Sequence, residues 1–435
     1  MEDVSKLLQY AVLKIHKGDW SNGMIGVSKT FGGSSILSSP VKKLSKCTGL
    51  FLYIRKNKKE VSAMKQLQIL IKPASSACNL RCRYCFYEDE SNCREIKNYG
   101  IMSAETRSDL IENALSSAEE RCVFAFQGGE PVLAGLKWFQ DFAEEVNKRK
   151  NKKQQIAYTI QTNGTLLDDN WFSFFKKNQF LVGLSLDGTE VLHDENRKDQ
   201  YGNGTFFKVL SAAEELRKRE IPFNILTVLT GQSAEKAGEI YDFYKKQGFL
   251  YQQYIPCLDA LNERPGSNPY SISPKRYEDA LKVLFDRWFQ DTVQGEACYI
   301  RQFDNWLTVL SGGAPEACSM CGKCTMQNVV EANGDVYPCD FYVLDEYRIG
   351  NVAEISFKEM RRMTEIPDKV SFFREAEKRD DRCGECRFYP LCRGGCRREL
   401  VREGEKCRQY FCEAYEGFFQ YAIGRMEWLL GSGEI

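Results

Sequence analysis

Eighteen cysteines and only two histidines occur in this chain of 435 residues, and no other feature limits the fold as strongly. A His-rich zinc site is excluded. In a reducing compartment disulfides rarely persist, so clustered cysteines there serve as ligands for a soft metal or an iron–sulfur cluster. The thiols are not evenly spread. Cys78, Cys82 and Cys85 form one tight group, and Cys318, Cys324, Cys339, Cys383, Cys386, Cys392, Cys396 and Cys412 form a second, with Cys321 and Cys407 inside it. Three thiolates on one loop fall one short of a closed site, which points to a [4Fe–4S] cluster with one iron left open to a small molecule. A zinc knuckle that borrows a distant cysteine is the alternative. Eight thiolates make two full sets of four, whereas a zinc ribbon over 383–396 would leave Cys318, Cys324 and Cys339 unexplained. Cys47, Cys93, Cys122, Cys257 and Cys298 read as ordinary thiols.

From Gln66 onward, β-type runs at 67–72, 123–127, 156–161, 181–186, 223–229 and 251–256 alternate with amphipathic stretches near 103–118, 136–150, 168–178, 205–218 and 233–247. A further helix is expected over 274–293. This alternation is the mark of βαβ units and a parallel sheet, and periodicity alone does not choose between a doubly wound sheet and most of a barrel. After about residue 300 the chain turns to short Gly- and Cys-rich segments, the composition of a small module held by metal rather than by a large core. The expected organisation is therefore an extension of unknown role over 1–63, a core domain over 64–300 and a second module with a C-terminal helix over 301–435. Lys plus Arg and Asp plus Glu each number 60, so no basic excess exists to hold nucleic acid or an anionic membrane. With no run that could span a bilayer and no basic-then-apolar start, a cytoplasmic location is expected.

Cys78-Asn79-Leu80-Arg81-Cys82-Arg83-Tyr84-Cys85, placed after the first strand, resembles the signature of radical S-adenosylmethionine (AdoMet) enzymes. Gly128-Gly129-Glu130-Pro131, Gln161-Thr162-Asn163-Gly164 and Ser185-Leu186-Asp187-Gly188 follow the next three strands, at the strand ends where parallel sheets and barrels carry their sites. The resemblance implies a partial (β/α)6 TIM-like barrel. It also assigns Tyr84, Gly128, Gly129 and Glu130 to the cofactor, with Ser185 and Arg197 holding the methionine carboxylate; an Arg–carboxylate pair is physically sound. The second cysteine group resembles a SPASM module. By that likeness Cys318, Cys324, Cys339 and Cys396 bind one auxiliary [4Fe–4S] cluster and Cys383, Cys386, Cys392 and Cys412 bind the other, for three clusters in all.

Leu70-Ile71-Lys72-Pro73-Ala74-Ser75-Ser76, Phe124 to Pro131, Gln161 to Leu166 and Tyr337-Pro338-Cys339-Asp340-Phe341-Tyr342 are similar to the anaerobic sulfatase-maturating enzymes from about Met64 to the chain's end. The implied reaction oxidises Cys or Ser in a Cys/Ser-x-Pro/Ala-x-Arg stretch of a nascent or unfolded sulfatase to Cα-formylglycine, with a flavodoxin or ferredoxin as electron donor. Asp340 is the implied base, and Tyr87 and Gln127 match positions near substrate or cofactor. Arg301 and Asp304 are further candidates for contact with an extended peptide. Two other readings remain open at this point: a SPASM maturase that makes a thioether or carbon–carbon crosslink in a ribosomal peptide, and a non-catalytic iron–sulfur redox protein. Met64 directly precedes the first strand and is a candidate translation start. A chain beginning there is expected to fold and turn over like the full one, and activity assays on the two lengths check this.

Overall fold

In a computed structural model of the chain, the described residues are 64–431 without 297, 367–369, 376–379 and 404–405. The expected extension over 1–63, with Cys47, lies outside them. Helix starts follow the sequence closely. Ser103 accepts from the Thr106 amide to begin helix Ala104–Ser117, Asp168 caps Asp169–Lys177, and Ser273 with Pro274 opens Pro274–Gln294. The helix expected over 233–247 is divided in two, Gly231–Glu235 and Ala237–Gln247, by the non-helical backbone of Lys236.

Among the described residues ten strands make one sheet: β1 (Met64–Ile71), β2 (Ala118–Phe126), β3 (Gln155–Thr162), β4 (Leu181–Ser185), β5 (Phe223–Leu229), β6 (Tyr251–Pro256), β7 (Tyr299–Ile300), β8 (Val329–Val330), β9 (Asp335–Tyr337) and β10 (Gly350–Asn351). Their spatial order is β10-β9-β8-β1-β2-β3-β4-β5-β6-β7. From β1 to β7 every pairing is parallel and follows chain order without the reversal that defines a doubly wound sheet, so the sheet is of the partial-barrel kind. Leu70 lies opposite Ala125, Ala125 opposite Thr159, and Thr159 opposite Leu181. Counting onward by twos places Lys72, Gln127, Gln161 and Ser185 on one face at the strand ends. The other face carries Phe124, Phe126 and Ile160 into an aromatic layer with Trp138, Phe139 and Phe142 of helix Leu136–Arg149.

The second module is joined to this sheet rather than tethered to it. Strand β8 pairs in parallel with β1, Leu70 opposite Val329 and Ile71 opposite Val330, and β9 returns antiparallel to β8. Beneath the joint, Arg94 Nη1 donates to Glu331 Oε2 at 2.6 Å with both side chains almost fully buried. The expectation of a module held by metal rather than by an apolar core needs correction. Helix Cys412–Leu429 buries Phe418, Phe419, Ala422 and Met426, and Phe418 packs on Phe285 of the barrel side and on Phe303 and Trp306 of helix Arg301–Leu310. Those residues and the barrel's own belong to one continuous hydrophobic cluster. Replacing Arg94 by Met, which strands Glu331 without a cation, is expected to cost about 3–5 kcal/mol, read as a lower denaturation midpoint of the holoprotein.

Candidate active site

The loop after β1 carries the cysteine triad and is clamped on both sides. Leu80 bridges to Asp199, the Arg81 amide donates to the Lys198 carbonyl at 2.7 Å, and the Arg83 amide donates to that of Asn196. From the other direction the Gly129 amide donates to Ser75 and the Glu130 amide to Ala77. Gly129 has to be glycine, because a Cβ there would meet the Ala77 carbonyl oxygen at 2.1 Å. Its role in the structure is therefore the close approach of two backbones, which is also what lets the β2 loop face the triad.

Cys78, Cys82 and Cys85 are near enough to act on one another's charge. Burial pushes the Cys78 and Cys82 thiols up to about 12, so thiolates in this pocket need a cationic partner of the kind that iron supplies. The second group sorts into two quartets in the same sense. Cys339 is surrounded by Cys396, Cys318 and Cys324, and Cys392 by Cys383, Cys412 and Cys386. Among the described residues no three His, Cys, Asp or Glu side chains close on a single metal ion. Cys407 is buried on strand Lys406–Gln409, and Cys321 lies beside Cys318 with its thiol toward the Ala317 carbonyl. Cys122, Cys257 and Cys298 are buried and Cys93 is exposed.

Three residues assigned to the cofactor have their polar ends engaged within the protein. Glu130 accepts from the Val132 amide, from Thr162 Oγ1 at 2.8 Å and from the Asn163 amide at 2.7 Å, and burial pushes its carboxyl up to about 7. Arg197 donates to Asp187 through Nε at 2.9 Å and Nη2 at 3.2 Å, and the Tyr84 hydroxyl donates to the same carboxylate. Ser185 is buried nearby. Asp187, quoted in the β4 motif without a role, thus orients the guanidinium. Neutral His193, its pKa lowered to about 4 by burial, accepts from the Asp187 amide and fixes that turn. A cleft of about 240 Å³ opens here, lined by Cys82, Tyr84, Cys85, Asp89, Asp259 and Tyr270. A larger one of about 550 Å³ lies by Arg264 and Arg408, whose linings include none of the triad or quartet cysteines.

Strands β8 and β9 deliver Asp340 over the end of β1. The Tyr87 hydroxyl donates to Asp340 Oδ2 at 2.6 Å and Gln127 Nε2 donates to the same oxygen at 3.1 Å, so three residues singled out from the sequence converge. Two that were not singled out complete the group. Lys72 Nζ lies 3.0 Å from Glu90 Oε1 and 3.9 Å from Asp340 Oδ1, and both side chains of the shorter pair are buried. Burial raises the Asp340 carboxyl above its ordinary value against the pull of Lys72. Burial works against the Lys72 ammonium, yet Glu90 and Asp340 together hold it above its own. Arg301 and Asp304 sit apart from this group. Arg301 Nη1 donates to Gln253 at 3.3 Å while Nε and Nη2 are buried without a hydrogen-bond partner, and Asp304, pushed up to about 6 by burial and then by Glu316, accepts from Tyr299.

Residues 73–244 match the family model of the Radical SAM superfamily, and residues 318–387 match SPASM, described as an iron–sulfur cluster-binding domain. The chain is a radical SAM protein with a SPASM module. It is 44% identical over 368 residues to a cysteine-type anaerobic sulfatase-maturating enzyme of Clostridium novyi, covering 84% of this chain and 98% of the relative. A serine-type counterpart from Bacteroides thetaiotaomicron is 30% identical, with 84% and 91% covered. Native anSMEcpe with bound AdoMet and Cp18Cys peptide superposes with a TM-score of 0.79 at 42% identity, covering 84% of this chain and 99% of that one. Streptococcus suis SuiB bound to precursor peptide SuiA, at 18% identity and a TM-score of 0.57 over 82% of this chain and 78% of that one, shares the fold. The chain belongs to the anaerobic sulfatase-maturating enzyme family.

Replacing Cys78, Cys82 and Cys85 together by Ala is expected to abolish reductive cleavage of AdoMet while two clusters stay bound. Cys392→Ala is expected to remove one auxiliary cluster instead. Iron and sulfide analysis beside a 5′-deoxyadenosine assay checks both.

Proposed function

We propose that this chain oxidises a cysteine side chain in a sulfatase polypeptide to Cα-formylglycine, with Asp340 as the base. The convergence of Tyr87, Gln127 and Lys72 on the Asp340 carboxylate carries the assignment. Cysteine is favoured over serine because identity is 44% to the cysteine-type relative and 30% to the serine-type one. The enzyme works with AdoMet and three [4Fe–4S] clusters. When bound, these supply a 5′-deoxyadenosyl radical that takes one hydrogen atom from the substrate Cβ, and an acceptor for the electron left behind.

Everything else falls to the protein. Cys78, Cys82 and Cys85 hold the open cluster, the two cysteine quartets hold the closed ones, and the Gly128-Gly129 turn with Arg197 and Ser185 seats the amino-acid end of AdoMet. Asp187 keeps the Arg197 fork in one orientation. Two hydrogen bonds occupy Asp340 Oδ2, which leaves Oδ1 to take the proton from the substrate thiol. One hydrogen atom from Cβ, one proton from sulfur and one electron then leave in balance, and carbon and sulfur become doubly bonded. Water replaces the sulfur as hydrogen sulfide and gives the aldehyde. Arg301, with two buried unpaired donors, is placed to hold peptide carbonyls, and Asp304 to meet a peptide amide.

We place the barrel at 64–300 and the auxiliary-cluster module at 301–435, and the reaction in the cytoplasm, where a flavodoxin or ferredoxin reduces the clusters. Among the described residues no helix is long and apolar enough to cross a membrane. Anaerobic enzyme given AdoMet, a reductant and a Cys-x-Pro-x-Arg peptide is expected to yield an aldehyde that has lost its sulfur, as read by mass spectrometry. A peptide that keeps its sulfur and loses two hydrogens would refute formylglycine formation. Asp340→Asn is expected to depress aldehyde formation by about 10²-fold or more, the range of a lost general base, while 5′-deoxyadenosine release persists. Equal loss of both would assign Asp340 a structural role.

A further inference from the structure

A buried ammonium stands between two carboxylates, and it stands closer to the one that no step of the reaction uses. Lys72 Nζ is 3.0 Å from Glu90 Oε1 and 3.9 Å from Asp340 Oδ1. Lys72, Glu90 and Asp340 come from three separate elements: the end of β1, helix Phe86–Asn92 and the segment after β9. All three are buried, at 2%, 1% and 7% exposure. Asp340 Oδ2 is filled by Tyr87 and Gln127, so Oδ1, itself buried, is the one oxygen left without a hydrogen-bond partner. An ammonium seated directly on that oxygen would occupy the lone pair that has to receive the substrate proton. Something must hold Lys72 back.

The geometry points to Glu90 as a positioning residue that draws the Lys72 ammonium away from Asp340 and so keeps Oδ1 open to the substrate thiol. Lys72 remains 3.9 Å from Asp340 Oδ1, outside hydrogen-bond distance. Its remaining freedom is small, because the ammonium also lies over the Tyr87 ring at 4.8 Å and its own amide donates to Val330 of β8. Glu90 is held in turn by its helix, three residues beyond Tyr87 and on the same buried face. One helix therefore supplies both a donor to Asp340 Oδ2 and the counter-charge that protects Oδ1. This inference rests on the reading of Asp340 as the base.

Charge and shape can be separated at Glu90. Glu90→Gln keeps the size and removes the charge, whereas Glu90→Asp keeps the charge and shortens the reach. The readout is the ratio of aldehyde formed to 5′-deoxyadenosine released by the three-cluster enzyme. Glu90→Gln is expected to lower that ratio at least about tenfold, less than the roughly 10²-fold that loss of the base itself costs, with Glu90→Asp falling between it and wild type. A crystal structure of Glu90→Gln is expected to show Lys72 Nζ moved from 3.9 Å to hydrogen-bond distance of Asp340 Oδ1. An unchanged ratio in Glu90→Gln, or a Gln variant better coupled than the Asp one, overturns the inference, as does an unmoved Lys72. Should the Gln variant fail to hold its clusters, Lys72→Arg provides a separate test. Its wider fork reaches both carboxylates and is expected to uncouple the enzyme, and a fully coupled Lys72→Arg overturns the inference by itself. Asp340→Asn separates the two levels: if it leaves the ratio intact, the base reading fails, and if it alone uncouples, only the role of Glu90 fails.

Discussion

Strand β8 is two residues long, and its parallel pairing with β1 decides where the chemistry can take place. Leu70 and Ile71 supply the edge of the barrel sheet, and Val329 and Val330 add to it from about 260 positions further along the chain. Two backbone pairings are weak alone. They persist because the strands are buried and because Arg94 and Glu331 lock the joint from beneath at 2.6 Å. The turn after β9 then has little choice of position, and Cys339 and Asp340 arrive over Lys72. Asp340, the proposed base, and Cys339 are thus set against the barrel by the same joint.

Around that joint lie two cations, Lys72 and Arg94, and three carboxylates, Glu90, Glu331 and Asp340, all under 10% exposed. At about 4 Å an ion pair is worth roughly 1 kcal/mol in water and about 4 kcal/mol at an effective dielectric near 20. Exclusion of water therefore turns small differences in distance into differences in occupancy. Lys72 can choose between two carboxylates less than 1 Å apart in range only where solvent does not screen the choice. Buried ion pairs seldom add net stability once desolvation is counted, and their value here is that each group has one place to be.

Much of this was legible in the sequence, and the remainder was hidden for identifiable reasons. Cysteine spacing separates the triad from the later group but does not divide that group, since Cys396 follows Cys392 in the chain and only the likeness to a SPASM module assigns it to Cys318, Cys324 and Cys339; six strands were visible because each is a short β-type run between helical patterns. Helix Phe86–Asn92 was not, since it buries Tyr87, Glu90 and Ser91 rather than an apolar stripe. Within Glu88-Asp89-Glu90 the third carboxylate looks like its solvated neighbours, and only the fold shows it to be 1% exposed. Lys72 looked like the polar end of a strand because Val330 and Asp340 belong to the distant module and its nearest partner, Glu90, to a helix without an apolar stripe. Strands β7 to β10, at two or three residues each, are too short to have a period. The metal-held module expected from the Cys- and Gly-rich stretch proved to share the barrel's aromatic core, through its last helix and through single apolar residues such as Phe388 and Leu391 scattered between the cysteines, which show no period.

Cys339 and Asp340 are neighbours in the chain, and this adjacency has a chemical consequence. Oxidation of a thiol-bearing carbon requires a proton and an electron to leave from atoms one bond apart. On the proposed reading the proton goes to the Asp340 carboxylate and the electron to a cluster that Cys339 would hold with Cys318, Cys324 and Cys396, and Cys339 and Asp340 share a peptide unit. The Asp340 amide donates to Gln327 Oε1 at 3.0 Å, and the Gln327 amide donates to the Pro338 carbonyl, so the turn that carries both acceptors is fixed from two directions. A change that tilts this turn moves both acceptors at once. The proton side can still be tuned on its own, because Tyr87, Gln127 and Lys72 reach the carboxylate from outside the turn, and the charge balance around Asp340 Oδ1 is set on the barrel side of the joint.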